Sequence, residues 1–155
     1  MHIAFVEIHN FRKLKSVRVD FHRQRTLFVG ANNSGKTSAM LCLGHFLFDP
    51  RRFTTNDFTL SNWSHINQIG TRWVEHNFAA GPIAPAISDF DDLLPALDVW
   101  LSVANHEIHY VSHILPTLRW TGGLLGVRLR FEPEDLSKLS SEYILAFNAA
   151  KEVKQ

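Results

Sequence analysis

The chain has 155 residues, of which 45% are hydrophobic and 20% charged, and its formal net charge is +1. These values are typical of a globular domain with a real core, and so small a charge gives no electrostatic argument for binding nucleic acid or an acidic membrane. The single cysteine, Cys42, excludes an internal disulfide.

No apolar run reaches the length of about 18 residues that a membrane span requires. The first residues lead directly into a strand pattern, without the basic and apolar regions of a signal peptide. The sequence therefore predicts a chain with no membrane partner and, because it lacks a disulfide framework, a cytoplasmic location.

Three strands are predicted before residue 30. Residues 2–8 form the first, a turn with a basic tip follows at Arg12 and Lys13, and alternating apolar residues over 16–21 predict a half-buried second strand. The third, Thr26-Leu-Phe-Val29, is more continuously apolar than the first two. Such a run is typical of a strand buried on both faces, so we expect it to be the more central one.

A glycine-rich loop follows, with the sequence Gly30-Ala31-Asn32-Asn33-Ser34-Gly35-Lys36-Thr37 and then Ser38. It matches the P-loop pattern G-x-x-x-x-G-K-[ST], in which glycines let backbone N–H groups turn toward phosphate oxygens. Lys36 is the predicted catalytic cation, Thr37 the predicted Mg²⁺ ligand, and all nine residues are predicted to bind ATP. An apolar helix over 38–48 should follow and end at Asp49-Pro50.

The remaining elements are less regular. Residues 51–92 are expected to be rich in loops, with a turn region near 79–88 marked by Gly81-Pro82. Residues 97–103 and 125–131 alternate and are expected to pair as strands. Between them, helical spacing begins after Asn105, and a last helix is expected to start at Pro133, with an amphipathic helix over 141–155.

Three features together carry a family resemblance: Asn10-Phe11-Arg12 after the first strand, Val29 to Ser38 in the loop, and the helix ending at Phe48. They resemble the N-terminal start of ABC-type ATPases of the RecF/SMC branch, and within it most closely the OLD family, ATPases fused to a TOPRIM nuclease. The similarity is specific over residues 1–48. It implies ATP and Mg²⁺ as cofactors, a homodimer through the ATPase head, and DNA as the target of the full-length protein.

The resemblance implies an α/β P-loop NTPase fold: an ABC-ATPase-like N-terminal lobe with a mixed sheet and an additional antiparallel portion. We expect one partial lobe over 1–155, with strands, loop and helix over 1–50, a loop-rich insertion over 51–92 and arm-like strands and helices over 93–155. A Walker B strand, a signature motif and the nuclease are not found, and Asp91-Asp92 is a weak substitute for Walker B. We therefore expect ATP binding without efficient turnover by this chain alone.

Two alternatives remain open at this stage. The first is a complete small P-loop nucleotide kinase, although no arginine-rich lid is evident, and a GTPase would need an Asn-Lys-x-Asp motif that is missing. The second is a non-catalytic interaction module with a relic P-loop. The roles of repair, ATP-dependent endonuclease and phage defence follow only from the family resemblance.

Other polar candidates have simpler interpretations. Gln68 is more readily a loop residue than a Mg²⁺-sensing glutamine, and Arg12 and Lys13 are more readily turn charges than nucleotide ligands. Arg51 and Arg52 would approach DNA or a second nucleotide only by analogy. Histidines and tryptophans are expected at surfaces, in the core or in interfaces rather than in a metal site or a base-stacking platform. These are His65, His76, His106, His109, His113, Trp63, Trp73, Trp100 and Trp120.

Overall fold

The structure is a computed structural model that describes residues 1–80 and 84–152. Its centre is a four-stranded sheet in the order β2-β1-β3-β4, formed by β1 (His2–Phe11), β2 (Leu14–Asp20), β3 (Ala96–Val103) and β4 (Gly123–Arg130). Every pairing is antiparallel. The α/β class is therefore confirmed, whereas the mixed sheet is not observed in the described residues.

The predicted hairpin and the predicted pair of later strands are both confirmed. Val6 lies opposite Val19 in the first pair, and Leu97 lies opposite Leu129 in the second. The strands expected over 93–155 do not stand apart as an arm, because β1 pairs with β3 from His2 to His9 and joins all four strands into one sheet.

One helix, α1 (Lys36–Leu47), packs against β1 and β3 and closes the main core. Ala39 and Cys42 of this helix meet Val6, Ile8 and other buried residues of the sheet. On the opposite face, Phe5 and Trp100 stack with their ring centroids 5.4 Å apart. Successive side chains of β1 point to opposite faces of the sheet. Those on one face pack against α1 and so hold in place both α1 and the loop before it.

The predicted third strand, Thr26 to Val29, is absent: residues 25–31 have no regular secondary structure. Phe28 packs on the main core, but Leu27 is 76% exposed and Val29 is 89% exposed. The prediction of a central strand buried on both faces is therefore wrong, because the apolar pattern could not supply a strand partner. A strand exists only when its N–H and C=O groups are paired with a neighbour.

The helices after α1 also differ from the expectation. Residues 63–80, expected to be rich in loops, form the 18-residue helix α2 (Trp63–Ala80). A single helix, α3 (Leu136–Glu152), replaces the two starts expected near 133 and 141, and it packs against α2. The helical spacing after Asn105 corresponds to a 3₁₀ segment, Asn105–Ile114. The turn expected at Gly81-Pro82 lies outside the described residues.

Candidate functional site at the P-loop

The glycine loop turns tightly into the start of α1. Gly35 precedes the first residue of the helix with φ of 99°, and Asn33 has φ of 68°. Positive φ is easily adopted by glycine and tolerated by asparagine, so these residue types allow the loop to curl. The first turn of α1 contains no acidic residue. Its free N–H groups and the positive end of the helix dipole therefore face the loop uncompensated, which favours a bound anion.

The side chain of Lys36 folds back across this loop. Its ammonium group donates hydrogen bonds to the carbonyl oxygens of Gly30 at 2.6 Å and Ala31 at 2.7 Å, and to Oγ of Ser34 at 3.2 Å. These three acceptors encircle the ammonium group, so the cation is held within the curl of the loop. A phosphate there would meet a charge that is already placed.

Thr37 and Ser38 follow on the first turn of α1, and both line a cleft beside the loop. Thr37 is exposed and Ser38 is buried. An exposed hydroxyl next to a phosphate loop is a suitable oxygen ligand for Mg²⁺, so the donor set fits the predicted metal. Asn32, Asn33, Ser34, Gly35 and Lys36 line the same cleft.

The cleft has a volume of about 950 Å³ and carries positive charge. Arg12, Lys13 and Lys36 are among its lining residues, which include no aspartate or glutamate within the described part of the chain. Arg12 pairs with Asp57, which does not line the cleft, whereas Lys13 and Lys36 form no ion pair with a carboxylate among the described residues, and two such cations beside the loop are suited to a polyphosphate.

The β1–β2 turn brings its two basic residues to the site, a position that the sequence had assigned to solvent. Lys13 donates hydrogen bonds to the backbone carbonyl and the side-chain oxygen of Asn33. Arg12 donates from Nε to Oδ1 of Asp57 at 2.9 Å, and its backbone N–H donates to the carbonyl of Asp57 at 2.8 Å. The turn thus contacts the P-loop on one side and the segment after α1 on the other.

Asp57 is a functional-site neighbour that sequence reasoning missed. Asp57 is 1% exposed, and the backbone N–H of Thr54 donates a hydrogen bond to its Oδ2 at 2.8 Å. Burial alone would raise the pKa of Asp57, but the hydrogen bonds from Thr54 and Arg12, together with the Arg12 charge, lower it below its ordinary value. The carboxylate therefore stays ionised and anchors the turn.

Asn10, one of the residues that carry the family resemblance, makes a specific set of contacts in the structure. It is 6% exposed with φ of 54°. Its Nδ2 donates to the carbonyl of Asp92 at 2.7 Å, and its Oδ1 accepts from Nδ2 of Asn62 at 3.1 Å. Because buried polar groups require partners, Asn10 ties the hairpin to two distant loops.

The far wall of the cleft is formed by residues after α1 that no sequence motif indicated. Phe58 and Trp63 place their ring centroids 5.3 Å apart, and Leu60 between them is 83% exposed. Phe11 forms an isolated antiparallel bridge with Phe58. The only available sequence signal was an excess of aromatic residues near 53–63, which did not distinguish a wall from a core.

Several sequence candidates lie away from this cleft. Gln68 is on α2 and lines a different surface pocket, together with His65. The carboxylate of Asp91 pairs with Arg130 at 2.9 Å. The backbone carbonyl of Asp92 accepts the hydrogen bond from Asn10 described above. Neither aspartate lines the P-loop cleft, so the structure gives no support to Asp91-Asp92 as a Walker B substitute.

The remaining candidates are also placed elsewhere. Arg52 pairs with Asp49 at 2.8 Å, while the side chain of Arg51 lies outside the described part of the chain. Among the described residues, no three His, Cys, Asp or Glu side chains come together as metal ligands. Trp73 is buried, and Trp100 donates from Nε1 to Oε2 of Glu7 at 2.9 Å.

Comparison with known proteins agrees with this geometry. The AAA ATPase domain family matches residues 1–151. The chain belongs to this family. Membership extends over the sheet, the P-loop and both later helices, so the loop sits in an ATPase domain and is not a chance match of the pattern.

The chain is also similar to curated proteins named DNA replication and repair protein RecF. The protein from Lactococcus lactis subsp. lactis is 32% identical over 89 residues, which is 57% of this chain and 25% of that protein. The protein from Colwellia psychrerythraea is 44% identical over 48 residues, 29% of this chain and 13% of that protein. The chain thus spans a quarter or less of the length of these relatives.

No solved structure matches the chain. Within residues 1–80 and 84–152, none of the helices has the length and apolar character needed to cross a bilayer.

Proposed function

We propose that this domain binds ATP with Mg²⁺ through residues 30–38. The observation that carries the proposal is the placement of the Lys36 ammonium group inside the curl of the loop, against the carbonyls of Gly30 and Ala31. The start of α1 and the positively charged cleft support it. Polyphosphate recognition needs this combination of inward N–H groups and a placed cation.

Each residue of the site has a role in this proposal. The backbone N–H groups of residues 31–37 hold phosphate oxygens, and Lys36 moves from the loop carbonyls to the β- and γ-phosphates. Thr37 is the protein ligand of Mg²⁺, and the Ser38 hydroxyl bonds the α-phosphate. As the terminal phosphoryl group leaves, Lys36 neutralises the charge that develops on it.

We propose further that the domain binds ATP without hydrolysing it efficiently. The cleft lining contains no carboxylate among the described residues that could orient an attacking water. A second copy of the ATPase head, or further chain, would have to supply that group. Purified protein should therefore turn over far more slowly than roughly 1 s⁻¹, a value at the low end for enzymes, and a faster rate would contradict this part of the proposal.

The finer assignment is an OLD-family or RecF-like ATPase that acts on DNA in the cytoplasm as a homodimer, with DNA repair, ATP-dependent nuclease action or phage defence as its role. This assignment includes the expected division of the chain into residues 1–50, 51–92 and 93–155. The similarity to proteins named for DNA replication and repair supports the DNA target. The family resemblance of the loop and of Asn10-Phe11-Arg12 supports the OLD branch.

An isothermal titration of ATP with Mg²⁺ tests the nucleotide site. Lys36→Ala should reduce the affinity at least about tenfold, because it removes a cation held in the loop. Lys138→Ala is the matched control, since Lys138 is 71% exposed on α3 and does not line the cleft. Equal affinity of the two variants would favour a relic P-loop in an interaction module.

A further inference from the structure

We infer that the wall formed by Phe58, Leu60 and Trp63 is the surface on which the nucleotide base lies. This inference rests on the proposed function, because it takes the phosphates to be held by the P-loop at the other side of the cleft. It assigns a binding role to residues that no sequence motif marks.

The wall and the P-loop line one continuous cleft. Residues 32–38 form one side, and residues 55–56, 58–61 and 63 form the other, with Arg12 and Lys13 also contributing. At about 950 Å³ the cleft lies within the range of about 300–1,000 Å³ usual for small-molecule sites. The polyphosphate needs only the cationic side, so the other side is left to the nucleoside.

The character of this second side differs from that of the first. Leu60 is 83% exposed and lines the cleft, and the half-buried ring of Trp63 lies at 38° to that of Phe58 with centroids 5.3 Å apart. A flat base can cover such an apolar and aromatic surface. Stacking on an aromatic side chain is tolerant of base identity, so the wall favours nucleosides in general.

The wall is firmly connected to the P-loop. Asp57, next to Phe58, holds the backbone and side chain of Arg12, and Asn62, next to Trp63, donates to Asn10. The adjacent Lys13 contacts Asn33 of the loop. Because the β1–β2 turn binds both sides of the cleft, the spacing between the phosphate site and the base surface is preset before a ligand binds.

Thr59 adds a polar group at this wall. The residue lines the cleft and is 7% exposed, and its hydroxyl has no hydrogen-bond partner among the described residues. A buried hydroxyl without a partner is costly. A nucleoside with its own hydroxyl and ring nitrogen groups is the kind of ligand that can supply the missing hydrogen bond after a small adjustment of the wall.

The test compares two ligands that share phosphates and differ in the nucleoside. ATP and inorganic tripolyphosphate, each with Mg²⁺, are titrated into wild type and into Leu60→Ser, Trp63→Ala and Trp63→Phe. Leu118→Ser is the matched control, because Leu118 is 100% exposed and does not line the cleft. Circular dichroism and the melting temperature establish that each variant is folded, and Leu60→Ser serves even if Trp63→Ala does not fold.

We expect the wall variants to lose affinity for ATP and to keep their affinity for tripolyphosphate. Trp63→Ala should weaken ATP about fivefold to a hundredfold, and Leu60→Ser about threefold to tenfold, with tripolyphosphate unchanged. Trp63→Phe should remain close to wild type because it keeps an aromatic face. Unchanged ATP affinity in Leu60→Ser and Trp63→Ala, or equal losses for both ligands, would overturn the inference.

The same titrations separate this inference from the proposed function. If Lys36→Ala abolishes binding of both ligands while the wall variants bind ATP normally, the P-loop proposal stands and the base surface is wrong. If wild type binds neither ligand, or if Lys36→Ala has no effect on either, the phosphate site itself is wrong and the inference falls with it.

Discussion

The guanidinium of Arg12 lies 2.9 Å from Oδ1 of Asp57, a residue that is only 1% exposed. This pair joins the β1–β2 turn to the segment after α1 that forms the far wall of the cleft. The two residues are 45 positions apart in the sequence, so their contact fixes long-range geometry. The shape of the candidate site therefore depends on a carboxylate that does not itself line the cleft.

Replacing Asp57 with asparagine should destabilise the protein by about 2 to 4 kcal/mol, because it removes the charge opposite Arg12 and leaves buried donors poorly matched. Urea unfolding measures the change. Asp20→Asn is the control: its carboxylate pairs with Arg18 at 2.7 Å but is 69% exposed, and exposed pairs contribute about 0 to 1 kcal/mol. Similar losses in the two variants would contradict the anchoring role of Asp57.

The pair between Asp98 and Arg128 should make stability depend on acid pH. Two hydrogen bonds of 2.6 Å from Arg128 lower the pKa of Asp98, against the opposing effect of burial, from an ordinary value of 3.8. A lowered folded-state pKa means that this contribution is full above about pH 4 and is lost as the pH falls through the folded value.

Arg128→Met should therefore differ most in stability from wild type near neutral pH, and the difference should shrink below about pH 4. Urea unfolding from pH 7 to pH 2.5 measures it, with Lys138→Met as a control for removal of an exposed cation. A difference that stays constant across this range would show that Arg128 stabilises the fold by packing rather than through Asp98.

Gly35→Ala should abolish ATP binding. Gly35 has φ of +99°, a backbone conformation that strains any residue with a Cβ, and the added Cβ would also lie 2.8 Å from Cδ2 of Leu14, which would have to move. Gly44→Ala is a favourable control in the middle of α1, where a Cβ meets nothing within 4 Å. It should raise stability by about 0.5 to 1 kcal/mol and leave binding intact. Normal ATP affinity in Gly35→Ala would refute the required backbone geometry.

Cys42 should be inert in the folded protein. It is fully buried in α1, and burial, reinforced by the negative charge of Asp57, raises the pKa of its thiol to about 12. Since the thiolate is the reactive form, a disulfide reagent at pH 8 should label Cys42 only when the protein unfolds. Rapid labelling without denaturant would mean that the core between α1 and the sheet is open.

Residues 30–38 and the four observed strands were predictable because their signals are local. The P-loop is defined by residue types at fixed spacing, and the predicted strands at 16–21, 97–103 and 125–131 show the alternation of a strand with one buried face. The hairpin and the pairing of 97–103 with 125–131 followed from the same alternation.

The predictions that were wrong, and the features that were missed, all concern structure that depends on residues distant in the sequence. The apolar run at Thr26 to Val29 has no strand partner in the described chain, so its pattern alone wrongly predicted a strand. Helix α2 was missed because its burial depends on α3: a Cβ on Gly70 would lie 2.3 Å from Cζ of Tyr143, which shows how closely the helices approach. The wall at Phe58 to Trp63 likewise depends on distant anchors, Asp57 with Arg12 and Asn62 with Asn10.

A crystal structure with a non-hydrolysable ATP analogue and Mg²⁺ tests the central claim most directly. We predict that Nζ of Lys36 leaves the carbonyls of Gly30 and Ala31 and lies within about 3 Å of phosphate oxygens, with the N–H groups of residues 31–37 directed at the same phosphates. A nucleotide bound elsewhere, or a loop that opens while Lys36 turns into the protein interior, would contradict the account.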